Sequence, residues 1–320
     1  MSPRFFLLAV AGLLGAVTWL SSRAETPAAG PRILVLGTAQ DGGFPQTGCA
    51  CTRCSAARRD PARSRAVASL ALILPETNER YLFDATPDLP AQIEKLRPYR
   101  SGAPERIDRG LISGVFLTHA HMGHYTGLAH LGYESMHTKG IPAWGTQRMV
   151  DFLAKNAPWD QLVRLGNVQP RALESGQAVA LGQGVTVTPL SVPHRAEYTD
   201  TFGYKVKGPR RTLLYIPDTD PWRKWSPSIL EALVGVDVAL LDATFYSGDE
   251  LPDRNLAEIG HPLIVDSMET LGPLVAAGKL EVFFTHLNHS NPALDGDSEA
   301  RRNIEKRGFH VLADGQVIEI

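Results

Sequence analysis

The chain has 320 residues, 43% of them hydrophobic and 8% aromatic, and a formal charge of −2. That composition excludes a disordered or collagen-like chain and permits one large or two small packed domains. Charges of both signs are dispersed, so nothing marks a polyanion-binding face and nucleic acid is not an expected partner.

The first 24 residues differ from the rest. Arg4 precedes an apolar run from Phe5 to Leu20, followed by Ser21-Ser22-Arg23-Ala24. A basic start, an apolar stretch and small residues at Ser22 and Ala24 predict a secretory signal cleaved near Ala24. An uncleaved anchor is the alternative, and only then is the membrane a partner. The run is short of the roughly 20 residues that a full span needs. The protein is therefore expected in the periplasm or secreted. Residues 25–31 read as a linker rich in Pro, Ala and Gly, and 32–320 as the folded domain.

Arg32 to Leu36 predicts a first strand, closed by the glycine-rich turn Gly37 to Pro45. No lysine and helix follow as a phosphate-cradling loop requires. All three cysteines come next, at Cys49, Cys51 and Cys54. An exported chain favours disulfides, but three is an odd number, and Cys49 and Cys51 are poorly spaced for a relaxed bridge. Three thiolates this close call for a cation, and a tetrahedral zinc with three cysteines and one histidine satisfies them. A disulfide plus one free thiol is the alternative.

Val67 to Leu74 and Arg80 to Phe83 predict a hairpin around residues 75–79, followed by a helix from Leu89 to Leu96. Leu111 to Leu117 predicts a strand running into His119-Ala120-His121-Met122-Gly123-His124. Residues two apart in an extended chain face the same way, so His119 and His121 aim two imidazoles at one ion. His124 leans back over the same spot if a helix starts at Tyr125. Further helices are expected over 146–156, 226–233, 262–271 and 298–306, and strands over 185–192, 202–206, 212–216, 236–241, 280–284, 310–312 and 316–320. Ligand residues recur where these strands end: His194 after Val192, Asp218 and Asp220 after Ile216, Asp242 after Leu241, His286 and His289 after Phe284. Several strands are apolar on both faces, which predicts an α/β architecture of sheets covered by helices. Loops held at strand ends by a rigid sheet are where chemistry is usually placed.

The order His-x-His-x-x-His, a lone His, a lone Asp and a late Thr-His resembles the metallo-β-lactamase superfamily over about residues 32–320. That resemblance implies a four-layer αββα sandwich. Gly42 to Gln46 with the cysteine cluster, Leu241 to Phe245, Gly260-His261-Pro262 and Asn288 to Pro292 are similar to the branch of pyrroloquinoline quinone (PQQ) biosynthesis protein B. The cysteine cluster and Thr285 to His289 also resemble the phosphoribosyl cyclic phosphodiesterases of phosphonate breakdown.

Position by position, the resemblance implies a first ion on His119, His121 and His194, with Asp218 as bridging carboxylate; Asp220 is the alternative to Asp218. It implies a second ion on His124 and His286. The family's aspartate before the third motif histidine is Gly123 here, which leaves the second site one ligand short. Cys49, Cys51, Cys54 and His289 are implied as a structural zinc site. His261 is implied as the proton donor to the leaving group, with a helix-capping role as its alternative. Asp84, Asp41 and Asp242 read as residues behind the ligands or facing substrate, and Gln40, Tyr125, Tyr198 and Phe245 as pocket walls. His130, His137 and His310 read as ordinary surface or core residues.

The expected cofactors are one structural and one or two catalytic zinc ions, with iron or manganese as alternatives at the histidines. The expected function is a metallo-hydrolase, phosphodiesterase included, that turns a metal-activated hydroxide, oriented by Asp218, on an ester, amide or phosphodiester of a small molecule. One alternative is a PQQ biosynthesis factor with iron-dependent oxidative chemistry on a tyrosine-derived precursor. The exported start and the full histidine motif argue against it. The other is a non-catalytic periplasmic metal-containing binding protein.

Overall fold

Strand alternation dictates the architecture. In β1 (Arg32–Gly37) every residue is buried, with Ile33 and Val35 on one face and Leu34 and Leu36 on the other. In β2 (Ser69–Leu74) Leu70, Leu72 and Leu74 join Ile33 and Val35 in a central cluster. Ala71 and Ile73 join Leu34 and Leu36 in an outer one. A strand apolar on both faces needs a layer on either side, and a computed structural model supplies both. It describes residues 30–101, 110–226, 228–250 and 260–320. The expected signal and all but the end of the linker lie outside the described residues.

Two seven-stranded mixed sheets face each other. The first contains β1, β2, β3 (Glu79–Phe83), β4 (Gly114–Phe116), β5 (Ile141–Gly145) and β6 (Val168–Ala172) in sequence, with β14 (Val317–Glu319) added beside β1. The second runs in reverse order from β13 (His310–Val311), β12 (Glu281–Thr285), β11 (Val238–Asp242) and β10 (Thr212–Ile216) to β9 (Thr201–Lys207), β8 (Val185–Val192) and β7 (Val179–Gly182). Strands β3 to β6 are parallel, and so are β10 to β13. Between the sheets, Phe116 stacks on Trp144 at 4.5 Å and on Phe83 at 5.4 Å, and Tyr204 meets both phenylalanines edge-on at 5.5 Å.

Helices cover both outer faces. Ile93 of α2 (Leu89–Glu94), Met149 and Leu153 of α4 (Gln147–Lys155) and Leu162 of α5 (Trp159–Arg164) pack on the first sheet. Ile229 of α6 (Ile229–Ala232), Met268 and Leu271 of α7 (Ile264–Ala276) and Ile304 of α8 (Glu299–Lys306) pack on the second. This is the four-layer αββα sandwich of the metallo-β-lactamase fold. Two remaining helices sit near the strand ends: α1 (Thr52–Arg59), which carries Cys54, and α3 (Met122–Tyr125), which carries His124.

Some expected elements differ. Strand β4 is shorter than 111–117. The helix expected from Tyr125 is α3 followed by a 3-10 stretch, Thr126–Leu131. The helix expected to end at Leu271 continues through Pro273 to Ala276. Strands β5, β6 and β7 and helices α1 and α5 were not expected. Pro142 and Pro170 interrupt the apolar pattern of β5 and β6, and α1 (TRCSAARR) has no apolar stripe.

Candidate metal centres

The strands deliver the polar side chains to one end of the sandwich. The chain leaves β4 through Thr118 into His119, β8 through Pro193 into His194, and β10 through Pro217 into Asp218; β12 leads directly into His286. Asp84 after β3 and His286 after β12 have φ of 66° and 60°. Non-glycine residues rarely adopt this left-handed geometry, and it persists mainly where the surrounding structure enforces it, as at functional sites.

His119, His121, His194 and Asp218 converge. His121 Nδ1 lies 2.8 Å from His119 Nε2 and 3.2 Å from His194 Nε2. Asp218 Oδ2 lies 3.2 Å from His119 Nε2 and 3.1 Å from His194 Nε2. Ligand nitrogens about 2.0–2.1 Å from a common zinc are separated by about 2.9–3.4 Å for octahedral or tetrahedral angles, so this spacing fits a metal. Asp220 does not join them. Its Oδ1 stays 3.6 Å from the outer nitrogen of His194, and its Oδ2 holds Lys224 at 2.8 Å.

On the other side of Asp218 lie Asp41, His124 and His286. Asp41 Oδ1 is 3.3 Å from His124 Nε2 and 3.7 Å from His286 Nε2, and Asp218 Oδ2 is 3.8 Å from His124 Nε2. Asp41 Oδ1, His124 Nε2, His286 Nε2 and Asp218 Oδ1 are buried without hydrogen-bond partners. Buried polar atoms are nearly always satisfied, so a cation fits this second set too.

The outer nitrogens are fixed. His124 Nδ1 meets Asp84 Oδ2 at 2.7 Å, His119 Nδ1 meets Thr118 Oγ1 at 2.9 Å, and His286 Nδ1 meets Thr244 Oγ1 at 2.9 Å. Asp84 also accepts from the Thr118 backbone N–H at 2.8 Å. His121 is turned the other way, with Nε2 2.9 Å from Glu197. Such partners fix the tautomer and orientation of a ligating imidazole. Thr118, Thr244 and Glu197 had no assigned role in the sequence. The threonines adjoin recognised ligand motifs, whereas nothing in the pattern around Glu197 marks it. Asp84→Ala is expected to weaken metal binding at the His124 centre by about 10–100-fold, read by competition with a chelating dye. Unchanged affinity would show that Asp84 does not orient His124.

His261 sits across Asp218 from the histidine tripod. Its Nδ1 is 2.8 Å from Asp242 Oδ2 and 3.3 Å from Asp218 Oδ1. Asp242 is buried and also accepts from the backbone N–H groups of Thr219 and Thr244. Phe245 stands 5.9 Å from the His261 ring. Tyr125 packs instead against Phe152 and Trp159, and exposed Tyr198 lies on Phe152.

Burial pushes His119 well below the ordinary imidazole pKa, with His124 adding to the shift, so it offers a neutral lone pair. Burial opposes ionisation of Asp218, but His194, His261 and His286 hold its carboxyl well below the usual range. Burial also works against a charged His261, yet Asp242 and Asp218 raise it to about 9.

The third cluster is separate. His289 Nδ1 lies 3.4, 3.7 and 3.6 Å from the sulfurs of Cys49, Cys51 and Cys54. A zinc tetrahedron with bonds of about 2.3 Å to sulfur and 2.0–2.1 Å to nitrogen has S···N edges of about 3.5–3.6 Å. All three cysteines are free, so the disulfide alternative is not what the structure shows.

Residues 79–299 match the family described as Beta-lactamase superfamily domain. The chain belongs to this superfamily. Within the β-lactamase superfamily it is 28% identical over 315 residues to Coenzyme PQQ synthesis protein B of Cupriavidus necator, covering 90% of this chain and 99% of that one. The protein of the same name from Pseudomonas fluorescens is 27% identical over 313 residues, with the same coverage. The crystal structure of Zn2+-bound PqqB from Methylobacterium extorquens shares the fold, with a TM-score of 0.76 at 24% identity over 90% of this chain and all of that one. A diphosphatase of the PhnP family shares it with a TM-score of 0.63 at 22% identity, covering 91% and 97%. The chain is thus a PqqB-like member of the superfamily, with residue clusters suited to metal binding.

Proposed function

We propose that this protein is a metal-dependent hydrolase acting on an ester, amide or phosphodiester of a small molecule, and that it works after export. The observation that carries the reading is the placement of His261 opposite the His119, His121 and His194 tripod, with Asp218 between them. His119, His121, His194 and Asp218 would hold the first ion, and His124, His286 and Asp218 face the second position. A divalent ion there supplies Lewis acidity and lowers the pKa of a bound water towards about 7.

The protein's own residues do the rest. Asp218 is kept ionised by the histidines around it, so it accepts a hydrogen bond from the attacking water and fixes its approach. Thr118, Asp84 and Thr244 hold the imidazoles in register. Asp242 holds His261, which carries a proton at neutral pH and gives it to the leaving group. The zinc named for the PqqB crystal structure supports zinc here, as does the spacing of the cysteine cluster.

The test is turnover of ester, lactam and phosphodiester panels by zinc-loaded protein. His261→Ala is expected to lower kcat by about 10²–10⁴-fold with its metal content intact. Fully loaded wild type that turns over no member of the panel would sink the reading. A second reading is a role in PQQ synthesis with iron at the histidines; the synthesis role is supported by the relatives that align over 99% of their length, and histidine and carboxylate ligands suit iron as well as zinc. Normal PQQ production after deletion of the gene would remove it.

A further inference from the structure

Position 123 has no room for a side chain. A Cβ built on Gly123 would lie 2.0 Å from Asp41 Oδ1, 2.6 Å from its Cγ and 2.8 Å from its Cα. The space next to His124 is filled from outside, by a carboxylate from the loop that follows β1. That loop is pinned there by its backbone. The Leu287 N–H donates to Thr38 O at 2.9 Å, and the Gln40 N–H donates to Leu287 O at 3.0 Å. Asp41, the next residue, is thereby set beside His286.

The chemistry of the three atoms agrees. Thr244 Oγ1 gives its own proton to Asp242 Oδ1 at 2.7 Å, so it accepts from His286 Nδ1–H. In the neutral ring this leaves Nε2 of His286 as a bare lone pair. His124 likewise directs Nδ1–H to Asp84 and Nε2 to the interior. Asp41 Oδ1 lies between these two nitrogens, yet none of the three atoms has a hydrogen-bond partner. Three buried polar atoms that face one another at 3.3 and 3.7 Å, none with a hydrogen-bond partner, are a set that a cation satisfies.

We propose that Asp41 is the carboxylate ligand of a second ion, held with His124 and His286. In this chain the carboxylate comes from the loop after β1, and residue 123 is glycine to admit it. The second site is therefore complete. The inference rests on the reading of the histidine cluster as a metal centre, but its test does not rest on turnover.

The experiment compares the full chain with D41A, G123D and D41A/G123D, reading bound zinc by elemental mass spectrometry and affinity by cobalt titration in the visible spectrum. D41A is expected to hold one ion fewer than wild type, with affinity for that ion reduced about 100-fold, because even residues behind the ligands are worth about 10–100-fold. D41A/G123D is expected to regain it. G123D alone is expected to bind it poorly, since two carboxylates then compete for one space. D41N keeps the shape without the charge and is expected to weaken the same ion should D41A not fold. Wild-type ion count and affinity in D41A, or in D41N if D41A is unfolded, would overturn the proposal. A folded double variant that stays one ion short would overturn the idea that a carboxylate at either position serves the same ion. Failure of the hydrolase reading looks different: the ion counts follow this pattern and no substrate is turned over.

Discussion

Alanine at His119 is expected to lower turnover by about a thousandfold or more and to remove one ion from the chain. His119 is 1% exposed, and its Nε2 meets both His121 and Asp218. Without it the tripod has two imidazoles, and Asp218 loses the nearest nitrogen but one. Transition-state stabilisation by a bound ion is worth several kcal/mol, and about 4 kcal/mol corresponds to three orders of magnitude in rate. The variant should stay folded, because His119 lies at the end of the sandwich while the aromatic stack of Phe83, Phe116 and Tyr204 holds its middle. Steady-state kinetics alongside elemental analysis checks both parts. Full activity in the variant would remove the metallo-hydrolase reading.

Serine at Cys54 should strip the zinc bound by the cysteine cluster and destabilise the whole fold. Cys54 is fully buried in a corner whose apolar cluster, among the described residues, is small: Ala39, Phe44 and Ala57 are buried with it, and Cys49 and Leu294 pack against them half-buried. Backbone bonds hold the segment after β1 as far as Phe44, but so small a cluster buries little surface around Cys49, Cys51 and Cys54. A metal cross-link to His289 would make up the difference, because structural zinc contributes folding energy directly. Losing it places this variant among the large effects, above about 4 kcal/mol. For a domain of this size that lowers the melting temperature on the order of 10 °C. Calorimetry and zinc content measured together decide it: retained zinc and an unchanged melting temperature would mean that the cluster is not a zinc site.

Much of this was legible because the sequence states it locally. Strand β8 has the expected limits because Val185 and Val187 mark the face it turns to the other sheet and Val192 closes it on the opposite, helix-covered face. The helix starts at Thr146 and Ser298 were readable because each side chain caps the third residue of its helix, at 3.1 and 3.0 Å. The histidines stood out because they bunch after one strand and recur after others. Strands β5 and β6 were hidden because each carries a proline at a position normally kept for ladder donors. Helix α1 was hidden because it is held by its neighbours at the cysteine corner and not by an apolar stripe. At the site, Gly123 reads as a gap when only its own position is considered. The carboxylate beside it comes from a loop on the far side of two strands, and no periodicity links residues 41 and 123. Glu197 was out of reach for the same reason: its partner His121 is met only once β8 and β9 are folded against β4.

Two short stretches of chain close two clusters at once. The loop after β1 carries Asp41 together with Cys49 and Cys51, and the stretch after β12 carries His286 together with His289. An ion at the cysteine corner would tie these stretches together and support the backbone pairing of Thr38 and Gln40 with Leu287 that sets Asp41 beside His286. Such linkage is reciprocal: whatever factor one ion adds to the binding of the other, it receives back. As zinc falls, these two ions would then leave together over a narrower range of concentration than two independent sites would show. The Cys54→Ser variant exposes the coupling directly, as a weakened affinity between Asp41 and His286 without any change to the residues there.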